Sequence, residues 1–312
     1  MKSVFRLITV LILVLSWITP SIADAEPQVL PELVSEVTVI VPGKPFRVAL
    51  VQNINPGWHT YWRTPGDSGA ATTLDWTLPP GFSAGEIAWP LPERIVYDSL
   101  TNYGYHDRVL LPVEIMPPAD LKPGDQVRLN LAANWLVCAD LCIPDDAELT
   151  LTMDVAASNE LDTRYAAWFA STDTQVPLDV GLTSGVSFEE EHIVVTIHMP
   201  GVSGERVSRL EYFPYYESVI DYPAEQVISI SDDRIEITLT KASDFEDGEK
   251  RLNGIIVIYE DAGEDIVTPI EIHPVVDAIP RVSNEGQMGL GLAMLFALMG
   301  GAILNLMPCV FP

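Results

Sequence analysis

The sequence predicts a mainly β chain: two immunoglobulin-like antiparallel β-sandwich domains joined by a short helix, followed by a transmembrane α-helix. Three observations lead there. Apolar residues alternate in short runs, turn signals separate those runs at regular spacing, and an uncharged apolar run, Met288 to Met307, lies near the end of the sequence. Composition agrees: 48% hydrophobic and 20% charged residues suit a globular part, and 25 prolines favour short strands over long helices.

The elements follow in chain order. Lys2 and Arg6 precede an apolar run from Leu7 to Trp17, a helix-breaking Pro20 and the small-residue site Ala23-Asp24-Ala25, which together read as a secretory signal peptide over 1–25. Cleavage after Ala25 would put the mature protein where thiols tend to be oxidised. The first sandwich is expected over 26–156. Val37, Val39 and Val41 alternate before the Pro42-Gly43 turn, and Phe46, Val48 and Leu50 alternate after it. Further strands are predicted at Thr73 to Leu78, Val109 to Ile115, Val127 to Trp135 and Ala147 to Val155, punctuated by Pro79-Pro80-Gly81 and Lys122-Pro123-Gly124-Asp125. No Cys-Trp-Cys core spacing points to a true antibody domain.

A linker helix is expected over 157–175, where Leu161, Tyr165, Trp168 and Phe169 fall at helical spacing behind Ser158 and Asn159. The second sandwich, 176–280, carries Ile193, Val195 and Ile197, then Ile235, Ile237 and Leu239 after an Asp232-Asp233 turn, then Ile255 to Tyr259 and Ile266 to Ile272. It contains no cysteine. After a linker at 281–287, residues 288–312 read as the first membrane helix of a truncated membrane domain, because twenty apolar residues suffice to span a bilayer. Pro308 and Pro312 flank Cys309 and would break that helix at membrane depth, where other protein must cover it.

The formal charge of -27 excludes nucleic acid and disfavours anionic lipid headgroups, since both need clustered Lys and Arg. Acidic runs such as Glu189-Glu190-Glu191 read as solvated surface.

Cys138 and Cys142 carry the chemistry. On a straight strand they would sit roughly 13 Å apart, whereas a tight turn brings alpha carbons to about 6 Å, so the chain must bend if the pair closes. Loop entropy makes the bridge a weak staple, worth about 2 kcal/mol against about 5 for a hundred-residue loop. A pair that can close but gains little from closing suits a disulfide made and broken in use. Asp140, Asp145, Asp146 and Glu148 lie close by, no Lys or Arg lies within six residues, and Leu136, Val137, Leu141 and Ile143 are apolar. Both influences disfavour a thiolate, which counts against a general oxidant and fits a reductant that reacts when a docked partner changes the surroundings. Two other readings stay open. The two thiols, with His59, His106 or a methionine, could hold Cu(I) in a copper-tolerance module, and the chain could be a structural, membrane-tethered sandwich with a small-loop disulfide.

Four segments carry a resemblance. They are Pro56-Gly57-Trp58-His59-Thr60-Tyr61-Trp62 with Pro65-Gly66-Asp67-Ser68-Gly69; Tyr103-Gly104-Tyr105 with Leu111-Pro112-Val113; Trp135-Leu136-Val137-Cys138 with Cys142-Ile143-Pro144; and Asn305-Leu306-Met307-Pro308-Cys309-Val310-Phe311-Pro312. The chain resembles the periplasmic amino-terminal region and first membrane helix of DsbD-like transmembrane thiol:disulfide interchange proteins, in the branch linked to suppression of copper sensitivity. The resemblance implies a protein-disulfide reductase of the bacterial inner membrane, with residues 26 to about 285 in the periplasm and no cofactor. Electrons would pass from cytoplasmic thioredoxin through a membrane cysteine pair to a carboxy-terminal thioredoxin-like domain absent here. From there they would reach the amino-terminal pair, and then periplasmic thioredoxin-fold disulfide proteins. Cys138 and Cys142 match the terminal pair and Cys309 the first cysteine of the membrane pair. By motif order Cys142 would form mixed disulfides and Cys138 resolve them. Family members cover the pair with an aromatic cap, for which Tyr103 and Tyr105 are the candidates, with His106, Asp107 and Arg108 as modulators.

Overall fold

The computed structural model describes residues 26–231, 233–245, 252–261 and 265–276. The expected signal peptide, the Met288 to Met307 run and Cys309 lie outside them. Among the described residues no helix is long and apolar enough to cross a membrane.

The protein is mainly β, and its strands sort into two sets that share no sheet. The first set comprises β1 (Val29–Ser35), β2 (Phe46–Ile54), β3 (Thr60–Gly66), β4 (Thr73–Thr77), β5 (Ser83–Ile87), β6 (Glu93–Tyr97), β7 (Leu100–Tyr105), β8 (Arg108–Met116), β9 (Gln126–Cys138) and β10 (Cys142–Asp154). These form a four-stranded sheet in the order β1-β2-β8-β5 and two three-stranded sheets, β10-β9-β4 and β3-β7-β6. A helix, α1 (Ala166–Asp173), leads to the second set. This comprises β11 (Thr183–Phe188), β12 (His192–His198), β13 (Val207–Pro214), β14 (Val227–Ser231), β15 (Arg234–Thr240), β16 (Gly254–Asp261), β17 (Asp265–Ile272) and the short β18 (Val275–Val276). Its sheets run β14-β15-β12-β11-β18 and β13-β16-β17. Strand pairing is antiparallel except between β11 and β18, where Gly185 and Val186 face Val275 and Val276 in parallel.

Sequence pattern accounts for most of this. In β9 the alternating Val127, Leu129, Leu131, Ala133, Trp135 and Val137 are buried, so one face of a long hairpin with β10 lies on the core. In β2 the alternation fails because both faces are covered. Phe46, Val48 and Leu50 enter the main core, while Ala49 and Val51 join Val34 and Leu110 in a second cluster around Phe169 of α1. Burying that phenylalanine stabilises the helix docking by roughly 1.5–3 kcal/mol. Arg47 adds polar clamps, pairing with Glu36 at 2.6 Å and with Asp173 at the end of α1.

Two local expectations need correction. Val37 to Val41 is not a strand: Val37 and Ile40 make only isolated bridges, to Leu161 and Val155. The partner of β2 is the earlier β1, in register from Val29 opposite Ile54 to Ser35 opposite Val48. Pro31 disguises β1 in the sequence, and it is tolerated because β1 is an edge strand. The helix also starts later than Ser158 and Asn159 suggest. Asp162 first closes a turn, accepting from the backbone N–H and the guanidinium of Arg164, and its carbonyl accepts from Ala166 N at 2.8 Å.

The two sets meet through aromatic rings. Tyr103 of β7 lies 4.8 Å from Phe213 and 5.5 Å from Tyr222, ring centre to ring centre, and Trp62 of β3 lies 6.2 Å from Phe213. Arg63 stacks 4.1 Å over Tyr215, and Arg94 of β6 donates to the carbonyl of Tyr222 at 2.9 Å. The base of the β6–β7 hairpin is therefore held by the second set.

Candidate functional site

Cys138 ends β9, Cys142 begins β10, and the two stand opposite each other in register with Ala139, Asp140 and Leu141 as the connecting loop. They form a disulfide with their alpha carbons 4.1 Å apart. The bend that the spacing requires is thus a β-hairpin end. Cys138 is 1% exposed, while Cys142 lies at the surface.

β3 supplies the other wall. Backbone hydrogen bonds of 2.9 Å run both ways between His59 and Cys138, which fixes the start of β3 beside the buried sulfur. The next inward residue but one, Tyr61, brings its hydroxyl within 3.6 Å of Cys142 Sγ. The same hydroxyl lies 3.3 Å from His59 Nε2. Tyr61 is 1% exposed and its ring is seated directly over Gly69, where an added Cβ would come within 2.3 Å of the ring. Gly69 also has φ of +101°, a conformation that suits glycine. Ser68 beside it is tied to β7, its N–H donating to Asn102 Oδ1 at 3.0 Å. The Pro65 to Gly69 motif thereby sets the tyrosine against the disulfide. Gly104 serves the same end, since a Cβ there would meet the Thr60 carbonyl oxygen at 2.1 Å and push β3 away from β7.

The β6–β7 hairpin forms the rim. Its turn places Asp98 at φ +53°, and Tyr97 at its tip donates to Asp140 Oδ1 at 3.3 Å, joining the tip to the intercysteine loop. Val96, Tyr97 and Leu100 of the hairpin and Leu141 of the intercysteine loop leave 63%, 53%, 40% and 70% of their surface exposed, so both elements present apolar side chains to solvent.

The sequence-predicted residues separate. Tyr103 is buried in the aromatic layer between the two strand sets, and Tyr105 donates its hydroxyl to the Pro90 carbonyl at 2.8 Å. Burial pushes both phenols well above their ordinary pKa. His106 does reach the neighbourhood: its ring lies 5.7 Å from that of His59, and Nδ1 is 2.9 Å from Glu93 Oε2. Asp107 and Arg108 follow where β7 turns into β8. The Asp107 carbonyl accepts from Ile54 N at 2.7 Å, and Arg108 bonds Asn53 and stacks 4.3 Å over Trp168 of α1. Sequence reasoning missed Tyr61 and Tyr97 as site residues. For Tyr61 a signal existed, an alternation partner of His59 within an aromatic motif next to a Pro-Gly turn.

Burial keeps His59 and Tyr61 neutral. Burial, and then the neighbouring His106, lower the His59 pKa from 6.5 to about 4. Burial raises that of Tyr61, an effect partly offset by a hydrogen bond from Ser68. Among the described residues no group of three or more His, Cys, Asp or Glu side chains is arranged to hold a metal ion. What the arrangement offers chemically is an exposed sulfur, a buried sulfur that can reach it, and a hydroxyl against the exposed one.

Comparison with known proteins agrees with that chemistry. No curated protein sequence matches the chain. The fold is similar to that of the N-terminal periplasmic domain of ScsB from Proteus mirabilis, with a TM-score of 0.56 at 15% identity over 82% of this chain and 96% of that one. A protein of unknown function from Porphyromonas gingivalis W83 aligns over 78% of this chain and 97% of its own, at 11% identity, but with a TM-score of 0.22. Residues 26–154, which hold the disulfide and every residue around it, match the N-terminal domain of the thiol:disulfide interchange protein DsbD. That match, to a thiol–disulfide exchange module, places residues 26–154 in the DsbD-like thiol:disulfide interchange family.

Proposed function

We propose that residues 26–156 are the terminal module of a transmembrane protein-disulfide reductase. It takes two electrons from a carboxy-terminal thioredoxin-like domain and delivers them to periplasmic disulfide proteins of thioredoxin fold. The observation that carries this reading is the unequal exposure of the two bonded sulfurs, Cys138 at 1% and Cys142 at the surface. In the reduced pair, the Cys142 thiolate attacks one sulfur of the partner disulfide, and the other partner sulfur leaves as thiolate. Cys138 then attacks Cys142 Sγ, closes the intramolecular bond and releases the partner's first sulfur. The pair loses two electrons, the partner gains two, and the two thiol protons end on the partner through water.

In this reading the two strand sets are two immunoglobulin-like sandwiches. The β6–β7 hairpin is the aromatic cap over the pair, with Tyr97 in the part expected of Tyr103 and Tyr105. Cys309 belongs to the membrane relay, the exported part faces the periplasm, and the copper-sensitivity branch is favoured by the fold likeness to ScsB. The test is the reduction potential of Cys138 and Cys142 in the full chain, by thiol trapping in defined redox buffers with peptide mass readout. A value between about -180 and -270 mV, where thioredoxin-fold partners operate, is expected; one below about -300 mV marks a structural bridge and removes the reading.

A further inference from the structure

Acidic residues flank the disulfide, no Lys or Arg lies within six residues of either cysteine, and the surroundings are apolar. These features oppose a thiolate, yet exchange requires one on Cys142. Tyr61 is the group touching the sulfur, at 3.6 Å, and a hydroxyl that donates to a thiolate stabilises the charged form. A phenol has one hydrogen. If it turns to His59, it is lost to the sulfur; if His59 donates to the phenol oxygen, the hydrogen must point elsewhere.

The geometry points to His59 as a positioning residue. We infer that in the tautomer carrying its proton on Nε2 it donates to the Tyr61 oxygen, 3.3 Å away, and so aims the Tyr61 hydrogen at Cys142 Sγ. This inference rests on the proposed exchange function and adds what sets the nucleophile. Three features make the chain rigid. The His59 backbone is paired to Cys138, the Tyr61 ring is pressed on Gly69, and both side chains are buried, at 7% and 1% exposure. The other titratable groups around the chain are His106 beside the His59 ring, Glu93 bonded to His106, and Asp140 with Tyr97 across the intercysteine loop. Held neutral by burial, His59 has one ring proton, and on Nε2 that proton faces the Tyr61 oxygen. In the exchange itself His59 neither gains nor loses a proton. The thiol proton of Cys142 leaves to water before the thiolate attacks the partner disulfide.

The experiment measures the rate of iodoacetamide alkylation at Cys142 against pH, in the reduced full chain, with peptide mass readout. A hydrogen bond to a charged group corresponds to a midpoint shift of about one pH unit. His59→Phe and Tyr61→Phe should both move the midpoint upward by about that much. His59→Gln, whose amide nitrogen can occupy the Nε2 position and donate, should restore it. His59→Asn, too short to reach, should behave as His59→Phe and replaces it if that variant does not fold. An unshifted midpoint in His59→Asn or His59→Phe, or a Gln variant no better than Asn, overturns the role of His59. That result is distinct from failure of the exchange reading, which the reduction potential alone decides.

Discussion

Tyr97 at the tip of β6 donates a hydrogen bond to Asp140 Oδ1 across 3.3 Å, and so ties the β6–β7 hairpin to the loop between the two cysteines. Both partners are exposed, and the hairpin is anchored at its other end by Arg94 and Tyr103. A lever fixed at the base and latched by one exposed bond opens at its tip. Since such a bond contributes about 0.5–1.5 kcal/mol, Tyr97→Phe should speed alkylation of reduced Cys142 about two- to tenfold. Tyr97→Ala should speed it at least as much. An unchanged rate in both variants would remove the latch.

Tyr103 predicts the opposite behaviour. Its ring is 1% exposed and contacts Trp62, Phe213 and Tyr222, so truncation opens a cavity where the two strand sets meet. Tyr103→Ala should cost about 3–5 kcal/mol in denaturant unfolding, and Tyr105→Phe about 1 kcal/mol, for the lost bond to Pro90. A Tyr103→Ala protein of full stability with a faster-reacting Cys142 would reverse the assignment of cap and core.

Much of this was legible in the sequence where a single physical rule dominates. The apolar pattern located β2, β4, β8, β9, β10, β12, β15, β16 and β17 because each has a face on the core. It failed for β1, which contains a proline, for β5, β11, β13, β14 and β18, and for β3, β6 and β7. These three form a small separate sheet whose residues answer to neighbours distant in sequence: Gly104 to Thr60, Tyr103 to Phe213, Tyr97 to Asp140. The cysteine pair was legible because loop length alone constrains it. The partner of Cys142 was not, since Tyr61 stands 81 residues away and only the register of β3 on β7 and β9 brings it there.

The unequal burial of the two sulfurs makes a directional prediction. With Cys138 replaced by Ser, Cys142 should form a stable mixed disulfide with glutathione disulfide. With Cys142 replaced by Ser, the buried Cys138 should react slower on the order of tenfold. Either substitution should cost only about 2 kcal/mol of stability because the loop that the bridge closes is short. Equal reactivity of the two single-cysteine proteins, read by mass at each position, would remove the distinction between attacking and resolving sulfur.

His59 links the site to acid stability. Its pKa falls from 6.5 to about 4 on folding, so the native state favours the neutral ring, and the unfolded chain binds the proton more readily. The contribution is complete above the unfolded value and is lost as pH falls toward the folded one. At about 1.4 kcal/mol per pKa unit, up to about 3 kcal/mol should disappear between neutral pH and pH 4. His59→Gln keeps a donor at the same place but cannot titrate. Other groups titrate in this window in both proteins, so the informative quantity is the difference between them. Denaturant unfolding measured from pH 7 to pH 4 should show the wild-type protein losing ground to the Gln variant as the pH drops. Parallel curves would mean that His59 is charged as easily in the folded protein as in the unfolded chain. The buried, neutral ring beside Tyr61 would then be the wrong picture.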